Sequence, residues 1–187
     1  PQLPRLTRRQ MLHRTAQAAV SLAIGSAFAP LLAAPEKRRF KIGACDWSIG
    51  KLADPGSFEV ARQIGLDGVQ VSLGTATDDM KLRQPEVQQQ FEAAAKKAGV
   101  QIASLAIGEL NSVPYKSDPR TEAWVSDSVP VMQALGVKVV LLAFFGKGDL
   151  VGDMTGTDEV VRRLKKAAHR AEQAGVILGL ESWLSAE

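Results

Sequence analysis

Four joints of one pattern recur along the chain, and they restrict its fold more than any other feature. They read Ile64-Gly65-Leu66-Asp67-Gly68-Val69-Gln70-Val71, Ala98-Gly99-Val100-Gln101-Ile102, Leu135-Gly136-Val137-Lys138-Val139 and Ala174-Gly175-Val176-Ile177-Leu178. In each, a helix-like stretch meets a glycine and then a run rich in Val, Ile and Leu. The glycine is the residue best able to take the left-handed conformation that ends a helix. Successive copies lie roughly 35 to 40 residues apart, which is room for a strand, a crossover helix and their loops. Units of this kind set parallel strands side by side and cover them with helices, which is an α/β fold.

Helix starts fit the same scheme. Asp54-Pro55, Asp118-Pro119 and Thr157-Asp158 each place a capping side chain ahead of a first turn, and Pro85 suits the first turn of another helix. Within that helix Val87, Phe91, Ala94 and Ala98 share a face, while Pro130 should kink or divide the next one. Strands are expected at Phe40 to Ala44, Val69 to Leu73, Ile102 to Ala106, Val139 to Phe144 and Ile177 to Leu180, short and apolar on both faces. A doubly wound sheet would need a phosphate loop after its first strand, and Gly43-Ala44-Cys45-Asp46-Trp47 lacks the G-x-G-x-x-G spacing. A (β/α)8 barrel fits better, because polar residues gather where strands should end: Asp46 and Ser48, Ser72, Glu109 and Asn111, Lys147 and Asp149, and Glu181. Five strands cannot close such a barrel, so the sequence reads as the N-terminal part of one, with about the first five βα units present.

Charge locates a second region. The 187 residues carry a formal net charge of +3, but residues 1–41 hold eight of the 23 Lys and Arg and one of the 20 acids, Glu36. The rest carries 15 basic against 19 acidic residues, a net −4, and gives no electrostatic case for nucleic acid. The head itself reads as an address: Thr7-Arg8-Arg9-Gln10-Met11-Leu12-His13, an apolar Ala-rich run from Ala16 to Ala34, then Pro35-Glu36-Lys37-Arg38-Arg39. The paired arginines resemble a twin-arginine export signal, with Met11 and His13 where that pattern prefers Phe and Lys. Residues 1–35 are therefore expected to be a signal peptide, recognised by the twin-arginine machinery and directing the protein to the periplasm or another extracytoplasmic space. An ordinary Sec signal or an uncleaved membrane anchor is the alternative. Residues 36–187 then form the barrel part. The single Cys45 allows no internal disulfide and no Cys-rich zinc site.

Among candidate functional residues Glu181 is the most informative. It directly follows the apolar run Val176-Ile177-Leu178-Gly179-Leu180, and an unpaired carboxylate beside a barrel core needs a cation or hydrogen bonds to compensate it. A metal would do so, as would a lysine. Trp47 and Trp183 stand at strand ends where they can stack on a sugar or simply pack. Phe144-Phe145-Gly146-Lys147-Gly148-Asp149 reads as a flexible βα loop, though its amides and Lys147 could meet a phosphate or carboxylate. His169, among Arg162, Arg163, Lys165, Lys166 and Arg170, reads as part of a solvated helix face. Cys45 reads as a small core residue.

Taken together, the βα repeat, the opening Gly43-Ala44-Cys45-Asp46-Trp47-Ser48 and the fifth strand Leu180-Glu181-Ser182-Trp183 resemble the sugar phosphate isomerase/epimerase superfamily, the xylose isomerase-like barrels. The spacing from Glu181 to Glu187 is similar to that of the D-tagatose 3-epimerase group. The resemblance implies that Glu181 ligates a divalent metal and takes part in proton transfer, and that Glu187 contacts substrate hydroxyls. It implies further ligands, an aspartate, a histidine and a second glutamate, on strands six to eight. The expected cofactor is Mn²⁺, Mg²⁺ or Co²⁺, with Zn²⁺ also admissible. The expected substrate is a sugar, sugar phosphate or related polyol or keto acid, and a homo-oligomer is allowed for the full-length protein. Two other readings stand beside it: a secreted carbohydrate-binding barrel without catalysis, and an endonuclease IV-like repair enzyme, which would need zinc-binding histidines on early strands and a basic groove.

Overall fold

The computed structural model describes residues 40–183. Residues 1–35, expected to be an export signal, and Glu187 lie outside the described residues. Five strands, β1 (Gly43–Cys45), β2 (Gly68–Ser72), β3 (Gln101–Ile107), β4 (Val139–Phe144) and β5 (Ile177–Ser182), form one parallel sheet in sequential order. Helices α1 (Ser57–Ile64), α2 (Pro85–Ala98), α3 (Arg120–Ala134) and α4 (Met154–Ala174) alternate with them. A sheet whose order follows the chain, with a helix after each strand, is the arrangement of a barrel wall and not of a doubly wound sheet.

The joint glycines do what their sequence setting requires. Gly65, Gly99, Gly136 and Gly175 have φ of 78°, 67°, 66° and 64°. A Cβ at any of the four would meet nothing within 4 Å, so the backbone conformation, not crowding, calls for glycine. Pro85 opens α2, and Phe91, with Val87, Ala94 and Ala98 around it, packs into the core.

Four expectations need correction. Pro130 does not divide α3, which runs unbroken from Arg120 to Ala134 with the proline on its exposed side. The cap of α4 is Asp153, whose Oδ1 accepts from Gly156 N at 2.8 Å; the helix starts a turn before Thr157-Asp158. Apart from β4, which carries Leu141 and Ala143 on its inner side, the strands are not apolar on both faces. Val69, Val71, Leu105, Ile107, Val140 and Leu142 point to the helices and are buried, whereas the inner face carries Cys45, Gln70, Ser72, Ser104 and Glu181, as the pairings Cys45↔Gln70, Gln70↔Ser104 and Ala143↔Glu181 require. The charged run on α4 is not wholly solvated: His169 is exposed, but Arg163 is buried. The core lies between the sheet and the helices, and the inner face is left to line a cavity.

Candidate functional site

On its inner side the sheet has a row of polar groups rather than a dry filling. The Cys45 thiol donates to Gln70 Oε1 at 3.1 Å, and Gln70 Nε2 donates to Ser104 Oγ at 2.9 Å, a chain across β1, β2 and β3. Cys45 is thus half-buried and hydrogen-bonded, not a plain core residue. Burial pushes its thiol up, as do the carboxylates of Asp46 and Glu181, against a hydrogen bond with Ser48. A shift in that direction lowers the thiolate fraction, and with it the reactivity of the sulfur.

Above this row, at the C-terminal ends of the strands, lies a cavity of about 450 Å³ lined by residues of every strand end or of the loop that follows it, among them Trp47, Leu52, Ser72, Glu109, Phe145 and Glu181. A larger hollow of about 610 Å³, between Arg83 and Asp127, opens among the outer helices and away from the strand ends. The barrel architecture places chemistry at the former. Glu181 sits on the inner face opposite Ala143 and is exposed. Glu109 follows β3 in a short 3-10 turn, Gly108–Asn111, and is half-buried. Among the described residues no lysine or arginine pairs with either carboxylate, so two acids share one mouth with no cation between them.

The remaining strand-end residues have other tasks. Asp46 is fully buried just below the cavity, and its carboxylate accepts from Ser72 N at 2.7 Å, Ser72 Oγ at 2.8 Å and Ala53 N at 3.0 Å. Burial pushes its carboxyl above the usual range, and the hydrogen bonds from Ser72 and Ala53 pull it back. Asn111 Oδ1 accepts from Phe145 N at 2.8 Å and so carries the turn after β4. That turn, Gly146–Gly148, is not the loose loop expected from its composition. It rests on the turn after β3 so closely that a Cβ on Gly148 would lie 2.4 Å from the Leu110 carbonyl oxygen. Lys147 points to solvent and does not line the cavity.

Of the site residues expected from the sequence, Trp47 and Glu181 meet in the cavity. Trp183 joins them indirectly, its ring edge-on to Phe145 at 5.3 Å between centroids and 75° between planes. Leu52 and Phe145 were missed, because an apolar residue in a loop carries no sequence signal for facing a cavity. Among the described residues no group of three His, Cys, Asp or Glu side chains could hold a metal ion. Glu181 fits the part of one oxygen ligand, and the described residues supply no complete set.

Comparison with known proteins agrees with this architecture. A family model described as a xylose isomerase-like TIM barrel matches residues 58–186. A 2-epi-5-epi-valiolone 7-phosphate 2-epimerase of Actinoplanes is 26% identical over 147 residues, covering 77% of this chain and 53% of that protein. A xylose isomerase-like TIM barrel protein from Mycobacterium smegmatis, solved with magnesium, superposes with a TM-score of 0.59 at 16% identity, over 76% of this chain and 55% of its own. D-psicose 3-epimerase from Clostridium cellulolyticum, solved with D-tagatose, gives 0.57 at 15%, over 74% and 51%. The chain spans about half the length of these relatives. With sequential parallel strands, alternating helices and a family model matched over most of its length, the chain belongs to the xylose isomerase-like TIM barrel family.

Proposed function

We propose that the protein is a divalent-metal-dependent isomerase or epimerase acting on a sugar, a sugar phosphate or a related polyol or keto acid, its barrel completed by further βα units. The observation that carries this reading is Glu181: an inner-face carboxylate at the end of β5, in a cavity beside Trp47, with no cationic side chain among the described residues to neutralise it. The epimerase among the relatives and the sugar epimerases among the structural neighbours support it.

Epimerisation next to a carbonyl removes a weakly acidic C–H proton and returns it to the opposite face, through an enediolate. Glu181 would hold the metal and exchange a proton with the substrate carbon or its neighbouring hydroxyl. A bound divalent cation supplies charge stabilisation to the oxygens of the enediolate. Glu109, which lines the same cavity, would accept hydrogen bonds from substrate hydroxyls, and Trp47 would offer a ring face to the apolar side of a sugar. Glu187, outside the described residues, would add a second hydroxyl contact.

Replacing Glu181 with Gln in the whole protein is expected to abolish epimerisation, followed as exchange of the substrate C–H with solvent deuterium, while the fold is kept. Full activity in that variant would sink the proposal. Sugar binding without turnover in the unmodified protein would favour the non-catalytic carbohydrate-binding reading. Export belongs to the proposal as well: replacing both Arg8 and Arg9 with lysine is expected to hold the precursor in the cytoplasm, and unchanged export would point to the Sec route.

A further inference from the structure

Asp46 is a buried acid that the proposed chemistry does not use, yet more of the mouth converges on it than on any residue that lines the cavity. Its Oδ2 accepts from both Ser72 N and Ala53 N, its Oδ1 accepts from Ser72 Oγ, and its carbonyl accepts from Ile49 N at 3.3 Å and Lys51 N at 2.8 Å. The segment from Trp47 to Ala53 is thereby closed into a ring, started and ended on one residue. Ala53 has φ 49° and is buried. A non-glycine residue in that region persists only where its surroundings hold it, and the bond from its N–H to Asp46 is such a hold. The ring turns Ile49 towards the core and leaves Trp47 and Leu52, 41% and 51% exposed, lining the cavity that Glu181 also lines. Large apolar side chains left facing a cavity with polar groups around them are the usual make-up of a ligand wall.

We propose that Asp46 is the positioning residue of this mouth: by gathering the end of β2 and the far end of the Trp47–Ala53 ring onto one carboxylate, it fixes Trp47 and Leu52 as a substrate-facing wall. Three donors converge on it, two backbone N–H groups on Oδ2 and the Ser72 hydroxyl on Oδ1. A side chain with no oxygen there would leave the two buried N–H groups unpaired, whereas an amide keeps them and turns its NH2 to the Ser72 hydroxyl, which can accept it. Asp46 does not itself line the cavity, so its effect passes through the loop. That the wall meets a sugar rests on the function proposed above; that Asp46 holds the loop rests on the hydrogen bonds alone.

Asp46→Ala in the whole protein removes the acceptor and separates the two claims. Hydrogen exchange read by mass spectrometry is expected to speed up about tenfold in peptides spanning residues 47–54 and to stay unchanged in α4. With a ketohexose as the probe substrate, KM is expected to rise about tenfold while kcat stays within about threefold. Leu52→Ala, which leaves every bond to Asp46 in place, is expected to raise KM without changing exchange in the loop. Unchanged exchange at 47–54, a uniform rise throughout the protein, failure of Asp46→Ala to fold, or a fall in kcat at constant KM would each overturn the proposal. Faster exchange confined to the loop, in a protein with no turnover of any sugar, would refute the epimerase reading and leave the role of Asp46 in the loop standing.

Discussion

Arg163 shows how one buried charge can be hidden inside a run of exposed ones. Its neighbours Arg162, Lys165 and Lys166 face solvent, whereas Arg163 lies between α3 and α4. Its Nε is 2.6 Å from Glu159 and 3.3 Å from Glu122, its Nη1 donates to the Asp118 carbonyl at 2.9 Å, and its guanidinium lies 5.8 Å from the centre of the Tyr115 ring. The helical spacing of Val160, Arg163, Ala167 and Ala171 puts all four on the buried face, so the signal was present in the sequence and was masked by the charge of the run. The two arginines also set how one acid responds to pH. Hydrogen bonds from Arg162 and Arg163 hold the Glu159 carboxyl down at about 2, against a usual 4.5. A carboxylate lowered on folding contributes stability that is complete above 4.5 and is lost as the pH falls from there towards about 2. Glu159→Gln is therefore expected to lower stability at pH 6 and to weaken the further loss between pH 6 and pH 3, read as urea midpoints. Parallel losses in the two proteins would show that the pair contributes nothing, as exposed pairs often do.

The C-terminal ends of the helices follow from glycine, which has one dominant use there, whereas the helix starts and the packing of turns upon each other do not. The turn Gly146–Gly148 is the clearest case. A Cβ on Gly148 would lie 2.4 Å from the Leu110 carbonyl oxygen, a backbone atom that cannot swing away. Gly148→Ala should therefore cost on the order of 2 kcal/mol or more and displace the Phe145 wall, lowering ligand affinity as well as the thermal midpoint; an unchanged midpoint would mean the turn can shift freely. The joint glycines, by contrast, have open space around them, and an alanine there should cost only about 1 kcal/mol of left-handed strain. The sequence therefore made the repeat, the strand order and the sheet end that carries the site readable, because glycine caps and hydrophobic runs are local signals. Glu181 could be found because it directly follows the apolar run from Val176 to Leu180. The hold of Asp46 on Ala53 and Ser72 could not, because the letter after a strand does not say which of three distant donors its carboxylate will meet. Nor could the polar inner face of β2 and β3, since Gln70 and Ser104 become a row only when register is known.

Among the described residues the cavity is a wall and not an enclosure. β5 leaves Ile177 and Leu180 exposed at 60% and 58%, and Glu181 stands in solvent at the same edge. A lone exposed carboxylate with water completing its shell binds a divalent ion weakly, because the gain from chelation appears only when several ligands are already in place. The described residues hold no group of three donors, and the relatives are about twice as long as the span they share with this chain. On the proposed reading the missing donors come from further βα units, so affinity for the metal and catalysis should be acquired together. Calorimetric titration of Mn²⁺ into a polypeptide of residues 40–187 is expected to show no stoichiometric tight site. The same titration into a protein with a completed barrel is expected to show one site per chain, weakened more than roughly tenfold by Glu181→Gln, since even supporting residues around a metal are worth that much. Tight stoichiometric binding by residues 40–187 alone would mean that Glu109 or Asp46 builds a metal centre with Glu181 inside this wall. The chemistry proposed for Glu181 would then have to be replaced by one drawn from those three acids.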